Sequence, residues 1–241
     1  MADDSALREQ LATCTRILAM EGLIGMFGHV SAYEPASGRV LLCPGAGSDK
    51  ATVQADDLFV LNRDGQVLEG EGHVPIEWPI HTALHAARAD ALAVAHLHAP
   101  YSTLFSIAQR PFRAVTFHAS LFRDGVPLYS EAQLIMTPAK GQALVRVMGD
   151  KRATLLRNHG LVVVGRDLPE VLYATLVFED NARKIVEAAA LGEVGHLSAQ
   201  ECAEFETDEQ MRARIPLMWR YFTTLEARWD RQPGSGRVGL S

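Results

Sequence analysis

AVAHLHAPYS, residues 93–102, is an apolar run that carries two histidines one position apart and stops at a proline. The segment ALAVAHLHA (91–99) reads as a buried strand. Side chains at i and i+2 of a strand point to the same face. His96 and His98 therefore project together, and Leu97 points back into the interior. Imidazole is a common ligand for divalent metals, and two on one face go halfway to a metal site. Taken alone, the pair reads either as metal ligands or as two hydrogen-bonded histidines at a strand end.

Working outward, EWPIHTALHAARAD (77–90) reads as a helix beginning near Pro79, and YSTLFSIAQ (101–109) as a short helix. Further upstream, Leu7, Leu11, Ile17 and Leu18 give an opening amphipathic helix, with Ser5 as N-cap and Gly22 as stop. Between lie strand-like pieces: HVSAYE (29–34), RVLLCP (39–44) and LFVLNRDGQVLEG (58–70), the last with Asp64-Gly65 as a hairpin turn. Downstream, ATLLRNHGLVVVG (153–165) is an apolar strand pair broken at His159-Gly160. DLPEVLYATLVFEDNARKIVEAAALG (167–192) is a long helix with Asp167 as cap and Pro169 in its first turn. Strands in runs with helices between them predict one α/β domain over residues 1–230, with a largely antiparallel or mixed sheet. The Gly/Ser-rich stretch RQPGSGRVGLS (231–241) reads as a mobile tail or one draped over a neighbouring subunit.

The 241 residues are 48% hydrophobic and 22% charged, with a net charge of −6 and no Lys/Arg run. That balance argues against nucleic acid or an anionic membrane as partner. Three scattered cysteines (14, 43 and 202) do not make a disulfide framework and suit a reducing compartment. The opening MADDSALREQ lacks the apolar core of a signal peptide, and no apolar run approaches the roughly 20 residues of a membrane helix. The expected location is cytoplasmic.

Two more residues join the histidine pair. His159 sits between two apolar strand pieces and precedes a glycine that permits a sharp turn. Glu77 lies just before the helix that leads into the histidine strand. The spacings are 19 residues from Glu77 to His96, 2 to His98 and 61 on to His159. With these, GHVS (28–31) stands like a Gly-Asn-(Ile/Val)-Ser motif, LLCPGAG (41–47) like a Thr-Pro-(Ser/Thr)-Gly loop, and PIEWPIH (75–81) like Ser-Ser-Glu followed by His. RNHG (157–160) carries Asn-His-Gly. As a set, from about Leu7 to Leu191, the chain resembles the class II aldolase/adducin family, which includes fuculose-phosphate aldolase and ribulose-phosphate 4-epimerase.

The resemblance implies a homotetramer with active sites at subunit interfaces. It implies one divalent ion per subunit (zinc or manganese, with iron or cobalt as further options), held by His96, His98 and His159. Glu77 then ligates the resting metal or serves as acid/base, and the shared chemistry is stabilisation of an enediolate. Where sugar-phosphate aldolases hold phosphate with an Asn and short hydroxyls, this chain has His29, Cys43, Gly45, Pro75 and Ile76, with Ser31 kept. A phosphate dianion would find too few donors there.

The metal half of such a site is retained and the phosphate half rebuilt, with Trp78 and Phe117 also near. This suits a flatter, less polar small-molecule carboxylate. The favoured reading is a metal-dependent lyase that decarboxylates a hydroxy-substituted aromatic or heteroaromatic carboxylate. The alternatives are an aldolase of a non-phosphorylated hydroxy-oxo acid or sugar and a metal-free scaffold like the adducin head. His118, in TFHASLFRDG, is the candidate proton donor to a neighbour's site, or a polar loop residue. His29 would offer a carboxylate a charge-assisted donor. Arg157 would bind a carboxylate or form a structural ion pair. His81 would support the metal ligands or pack in its helix. Tyr221, Arg228 and Trp229 would close a neighbour's pocket or merely pack. Cys43, with no histidine near it in sequence, is not expected to be a nucleophile.

Overall fold

In the computed structural model, which describes residues 4–205 and 208–229, the histidine-bearing segment forms β5 (Ala93–Leu97), in the middle of an eight-stranded sheet. The other strands are β1 (His29–Glu34), β2 (Arg39–Leu42), β3 (Phe59–Leu61), β4 (Val67–Glu69), β6 (Leu128–Tyr129), β7 (Ala153–Leu156) and β8 (Gly160–Gly165). Their order is β4-β3-β2-β1-β5-β8-β7-β6. Neighbours pair antiparallel except β6 with β7, which is parallel. The mixed, largely antiparallel sheet of a single α/β domain is therefore present.

The period of two sorts the side chains of β5. Ala93, Ala95 and Leu97 enter a core built with α1 (Ser5–Met20) and α5 (Leu168–Ala188), including Leu11, Ile17, Val163, Leu172 and Phe178. Val94 enters a second core on the opposite face with Ile80 and Leu84 of α2 (Trp78–Ala87) and Leu144 and Met148 of α4 (Pro138–Met148). His96 follows Val94, so it shares the α2 face. On β1, Val30 and Ala32 join the first core, which turns His29 and Ser31 toward α2 as well. One strand alternation thus gathers polar groups under one helix.

Local signals behave as expected in several places. Asp167 caps α5 by accepting from the Glu170 N–H at 2.7 Å, with Pro169 in the first turn. The β3–β4 hairpin turns through Asn62, whose side-chain oxygen accepts from the Asp64 and Gln66 N–H groups. Other boundaries differ. α1 begins at Ser5 with Asp4 ahead of it rather than with Ser5 as cap, and α5 ends at Ala188, before Gly192. α4, the short β6, α6 (Ala199–Phe205) and the early part of α7 (Asp208–Trp229) were not anticipated, and Phe117–Phe122 is a 3₁₀ turn rather than a loop. α7 is held to α1 through buried Arg16, whose Nε donates to Glu226 at 2.6 Å while Nη1 reaches the Val53 carbonyl at 2.7 Å. The stretch 231–241 lies outside the described residues. Among the described residues no helix is long and apolar enough to cross a membrane.

Candidate active site

β5 delivers His96 from its last turn of the pleat, and His98 follows one residue beyond the strand's end. His96 Nδ1–H donates to the Leu161 carbonyl of β8 at 3.1 Å. That bond fixes the ring and leaves Nε2 with its lone pair facing the cluster. Nε2 of His98 lies 3.0 Å from it.

His159 arrives from the tight turn between β7 and β8. Asn158 takes the left-handed conformation, φ 57°, a conformation asparagine tolerates better than most side chains. Gly160 follows because there is no room for more: a Cβ there would stand 2.2 Å from the Leu97 carbonyl oxygen. The turn is thereby pressed against the end of β5, and the three imidazoles form a near-equilateral triangle. Their ring centroids are 4.8 Å (His96–His98), 4.8 Å (His96–His159) and 4.7 Å (His98–His159) apart.

Glu77, immediately ahead of α2, completes the group. Its Oε1 accepts from the Ile135 N–H at 2.8 Å. Its Oε2 faces His96 Nε2 at 3.3 Å and His159 Nε2 at 3.4 Å. One ligand atom from each of Glu77, His96, His98 and His159 can be chosen so that all lie within 4.8 Å of one another.

Burial would push the Glu77 carboxyl up, but the His159 and His96 imidazoles outweigh it and hold the group well below the usual carboxylate range. Burial, reinforced by His96 and His159, pushes His98 down to about 3. His159 Nε2 is buried with no hydrogen-bond partner among the described residues. A buried lone nitrogen is costly unless something binds it. Imidazole nitrogens with one carboxylate are the donor set that zinc, manganese, iron and cobalt accept, so these residues fit a divalent ion.

Of the remaining sequence candidates, His29 and Ser31 lie beside this group. His29 is the cross-strand partner of His96, with ring centroids 5.0 Å apart. Burial, with His81 and His96 adding to it, pushes His29 well below the ordinary histidine range. Ser31 is fully buried and bonds His81 and His85. Pro75 is buried, while Ile76, next to Glu77 in the chain, is 59% exposed.

Gly45 is tied into its loop. Its N–H donates to the His73 carbonyl at 2.8 Å, and its own carbonyl accepts from Lys50 Nζ and Ser48 Oγ, both at 2.7 Å. Cys43 points into the α1 core instead. It has no solvent exposure, its sulfur accepts from the Val30 N–H, and burial pushes its thiol up. That placement removes it from substrate contact.

Arg157 donates through Nε to the Ser130 carbonyl at 2.6 Å, pinning the segment after β6. His118 lies on the other side of the sheet, with Nδ1 3.0 Å from Tyr173 OH of α5, so one chain does not bring it to the cluster. Tyr221 is exposed on α7.

Three contributors escape a reading by motif. His85 shares a helix face with Glu77 and His81, and the i, i+4, i+8 spacing is its signal. Phe27, 56% exposed, holds its ring 6.1 Å from His98. Ile135 acts through its backbone, which no side-chain pattern announces.

The chain is 29% identical to the 3,4-dihydroxyphthalate decarboxylase of Rhodococcus jostii (strain RHA1) over 233 residues, 91% of this chain and 95% of that protein. It is 26% identical to the 5-deoxy-D-ribulose 1-phosphate aldolase of Bacillus thuringiensis serovar kurstaki, over 77% of this chain and 87% of the relative. Among solved structures, the L-fuculose 1-phosphate aldolase from Glaciozyma antarctica PI12 superposes with a TM-score of 0.81 at 23% identity, covering 94% of this chain and 92% of that one. That likeness speaks for the fold. The family model of the Class II Aldolase and Adducin N-terminal domain matches residues 9–186, a span that holds Glu77 and all three clustered histidines. By that match, in accord with its sheet and its Glu–His cluster, the chain belongs to the class II aldolase and adducin N-terminal domain family.

Proposed function

We propose that this protein is a divalent-metal-dependent carboxy-lyase acting on a hydroxy-substituted aromatic or heteroaromatic carboxylate. The observation that carries the reading is a cluster with an apolar rim. Exposed Phe27 lies 6.1 Å from His98, exposed Ile76 adjoins Glu77 in the chain, and exposed Leu134 and Met136 flank the Ile135 whose N–H anchors Glu77. Exposed apolar groups beside a polar centre suit a flat ring and not a sugar phosphate. The near full-length similarity to a dihydroxyphthalate decarboxylase supports the same reading. The aldolase relative, similar over less of this chain, keeps a second reading in view: C–C cleavage of a non-phosphorylated hydroxy-oxo acid.

His96, His98 and His159 would hold zinc or manganese, with Glu77 beside them. When bound, such an ion supplies Lewis-acid chemistry to a chelating substrate. The chain's own groups do the rest. Ile76 and Phe27 flank the ring and exclude water. The bond from ring carbon to carboxylate breaks, CO₂ departs, the electron pair stays on the ring carbon, and that carbon takes one proton. His118 of a neighbouring copy in a homotetramer is the proposed donor, with Glu77 available to hold a proton at Oε2. Gly45 and Pro75 would shape the pocket wall and Arg157 would border it, with fully buried Ser31 behind it.

The test is the purified protein with Mn²⁺ or Zn²⁺ against hydroxybenzoates, hydroxyphthalates and hydroxypyridine carboxylates, following CO₂. Metal-dependent release from a planar carboxylate with an ortho hydroxyl is expected, with sugar phosphates neither cleaved nor inhibitory at millimolar levels. Efficient cleavage of fuculose- or ribulose-type phosphates would overturn the reading.

A further inference from the structure

Behind the metal cluster, four side chains that ligate nothing are strung in a line. His85 Nδ1 lies 2.5 Å from the Ala91 carbonyl oxygen. His85 Nε2 is 2.8 Å from Ser31 Oγ, and Ser31 Oγ is 2.6 Å from His81 Nδ1. His81 Nε2 is 2.6 Å from His29 Nδ1. All four residues are buried, His81 and Ser31 without any exposure. The line runs from the far end of α2 to the strand beside His96.

A chain of neutral imidazoles and a hydroxyl, each donating once and accepting once along it, has only two possible directions. The end group chooses between them. A backbone carbonyl can only accept, so His85 Nδ1 must carry the hydrogen. His85 Nε2 then accepts from the Ser31 hydroxyl, and Ser31 Oγ accepts from His81 Nδ1–H. His81 Nε2 in turn accepts from His29 Nδ1–H. Reversing the chain would set two lone pairs against each other 2.5 Å apart at Ala91.

Neutral rings are what the surroundings require. All three rings are buried, and among the described residues their hydrogen-bond partners are one another, Ser31 and the Ala91 carbonyl, with no carboxylate to pair a charge. The last atom of the chain is His29 Nε2. It is left with a lone pair and no hydrogen-bond partner among the described residues, on a ring centred 5.0 Å from that of His96.

We propose that His85, Ser31 and His81 form a tautomer lock that presents His29 Nε2 to the substrate as a hydrogen-bond acceptor. This edge of the site therefore selects a hydroxyl and disfavours a carboxylate. Resting on the carboxy-lyase reading, the lock narrows the substrate class to carboxylates that carry a hydroxyl beyond the one needed for chelation. His29 is the specificity-determining residue, and the other three are positioning residues that act through it.

The test reads the tautomer directly. Full-length protein labelled with ¹⁵N-histidine, loaded with Zn²⁺, is examined by long-range ¹H–¹⁵N correlation, with His29→Asn used to assign the signal. The Nδ1–H form is expected at His29, and an Nε2–H form there overturns the lock. Ser31→Ala removes the acceptor of His81 Nδ1–H, so His81 should turn its hydrogen to Nε2 and switch His29 to Nε2–H. Ser31→Thr keeps a hydroxyl and should restore the wild-type signal. Zinc content should be unchanged in both.

Calorimetry then compares 2,3-dihydroxybenzoate with 2-hydroxybenzoate. The wild type should prefer the former by roughly ten-fold, about the weight of one net hydrogen bond, and Ser31→Ala should erase the preference. Equal affinities in the wild type overturn the hydroxyl selection. If His29 is locked as expected but no carboxylate releases CO₂, the lock stands and the carboxy-lyase reading falls. CO₂ release by a protein with Nε2–H at His29 gives the reverse.

Discussion

Gly160→Ala is a one-methyl change that tests how the clustered histidines are held. The new Cβ would stand 2.2 Å from the Leu97 carbonyl oxygen and 3.1 Å from the His98 ring. Ordinary contact needs more than an ångström of extra room against that backbone oxygen, and neither side yields easily. Leu97 is paired to Leu161 in the sheet, and Gly160 opens β8 directly after His159. The turn must lift, which carries His159 away from His96 and His98. Overpacking of this kind costs about 1–3 kcal/mol. For a chain of this size that lowers Tm by roughly 2–12 °C. A displaced ligand should weaken metal binding by about 10–100-fold, as lost support around metal ligands does. Thermal unfolding by circular dichroism and zinc competition against a chromophoric chelator measure the two effects. Gly195→Ala, where a Cβ meets nothing within 4 Å, is the control and should leave both unchanged. Wild-type Tm and zinc affinity in Gly160→Ala would refute the view that this turn is seated by contact with β5.

Other expectations follow from the same site. His96→Ala, His98→Ala and His159→Ala should each lower bound metal, measured by plasma emission, and abolish turnover; full occupancy in any one removes that residue from the ligand set. His85 is pushed down to about 4 by burial, only partly offset by its bond to Ala91, with Ser31 on its other nitrogen and the Tyr33 ring stacked on it. The unfolded chain protonates this group near its ordinary 6.5 and the folded chain only near 4. Its contribution is therefore complete above pH 6.5 and is lost as pH falls toward 4, by on the order of 3 kcal/mol. Urea unfolding across that range should show the slope in the wild type and a shallower one in His85→Phe; identical slopes would exclude His85 as its source. Light scattering should find a homotetramer, and an active 26.3 kDa monomer would remove both the assembly and the interface role of His118.

The grouping of Glu77, His96, His98 and His159 was legible in the sequence because its signals are local and periodic. His96 and His98 share a face by strand alternation, Asn158-His159-Gly160 announces its own turn, and Glu77 precedes a helix marked by Pro79. Those rules depend only on backbone geometry over a few residues. What surrounds the cluster depends on contacts between residues distant in the chain. Cys43 and His29 both occupy positions that motif matching places in a pocket. Yet the register of β1 and β2 sends the thiol into the α1 core, while the imidazole stays on the α2 face beside His96. The Ile135 N–H that orients Glu77 comes from 58 residues away, and a backbone donor leaves no trace in composition. The direction of the His85–Ser31–His81–His29 chain is set by one carbonyl, Ala91, that sequence cannot place. Only packing α2 across β1 and β5 brings those atoms within hydrogen-bond reach, because burial leaves each polar group no water to turn to and every donor must find its acceptor in the fold.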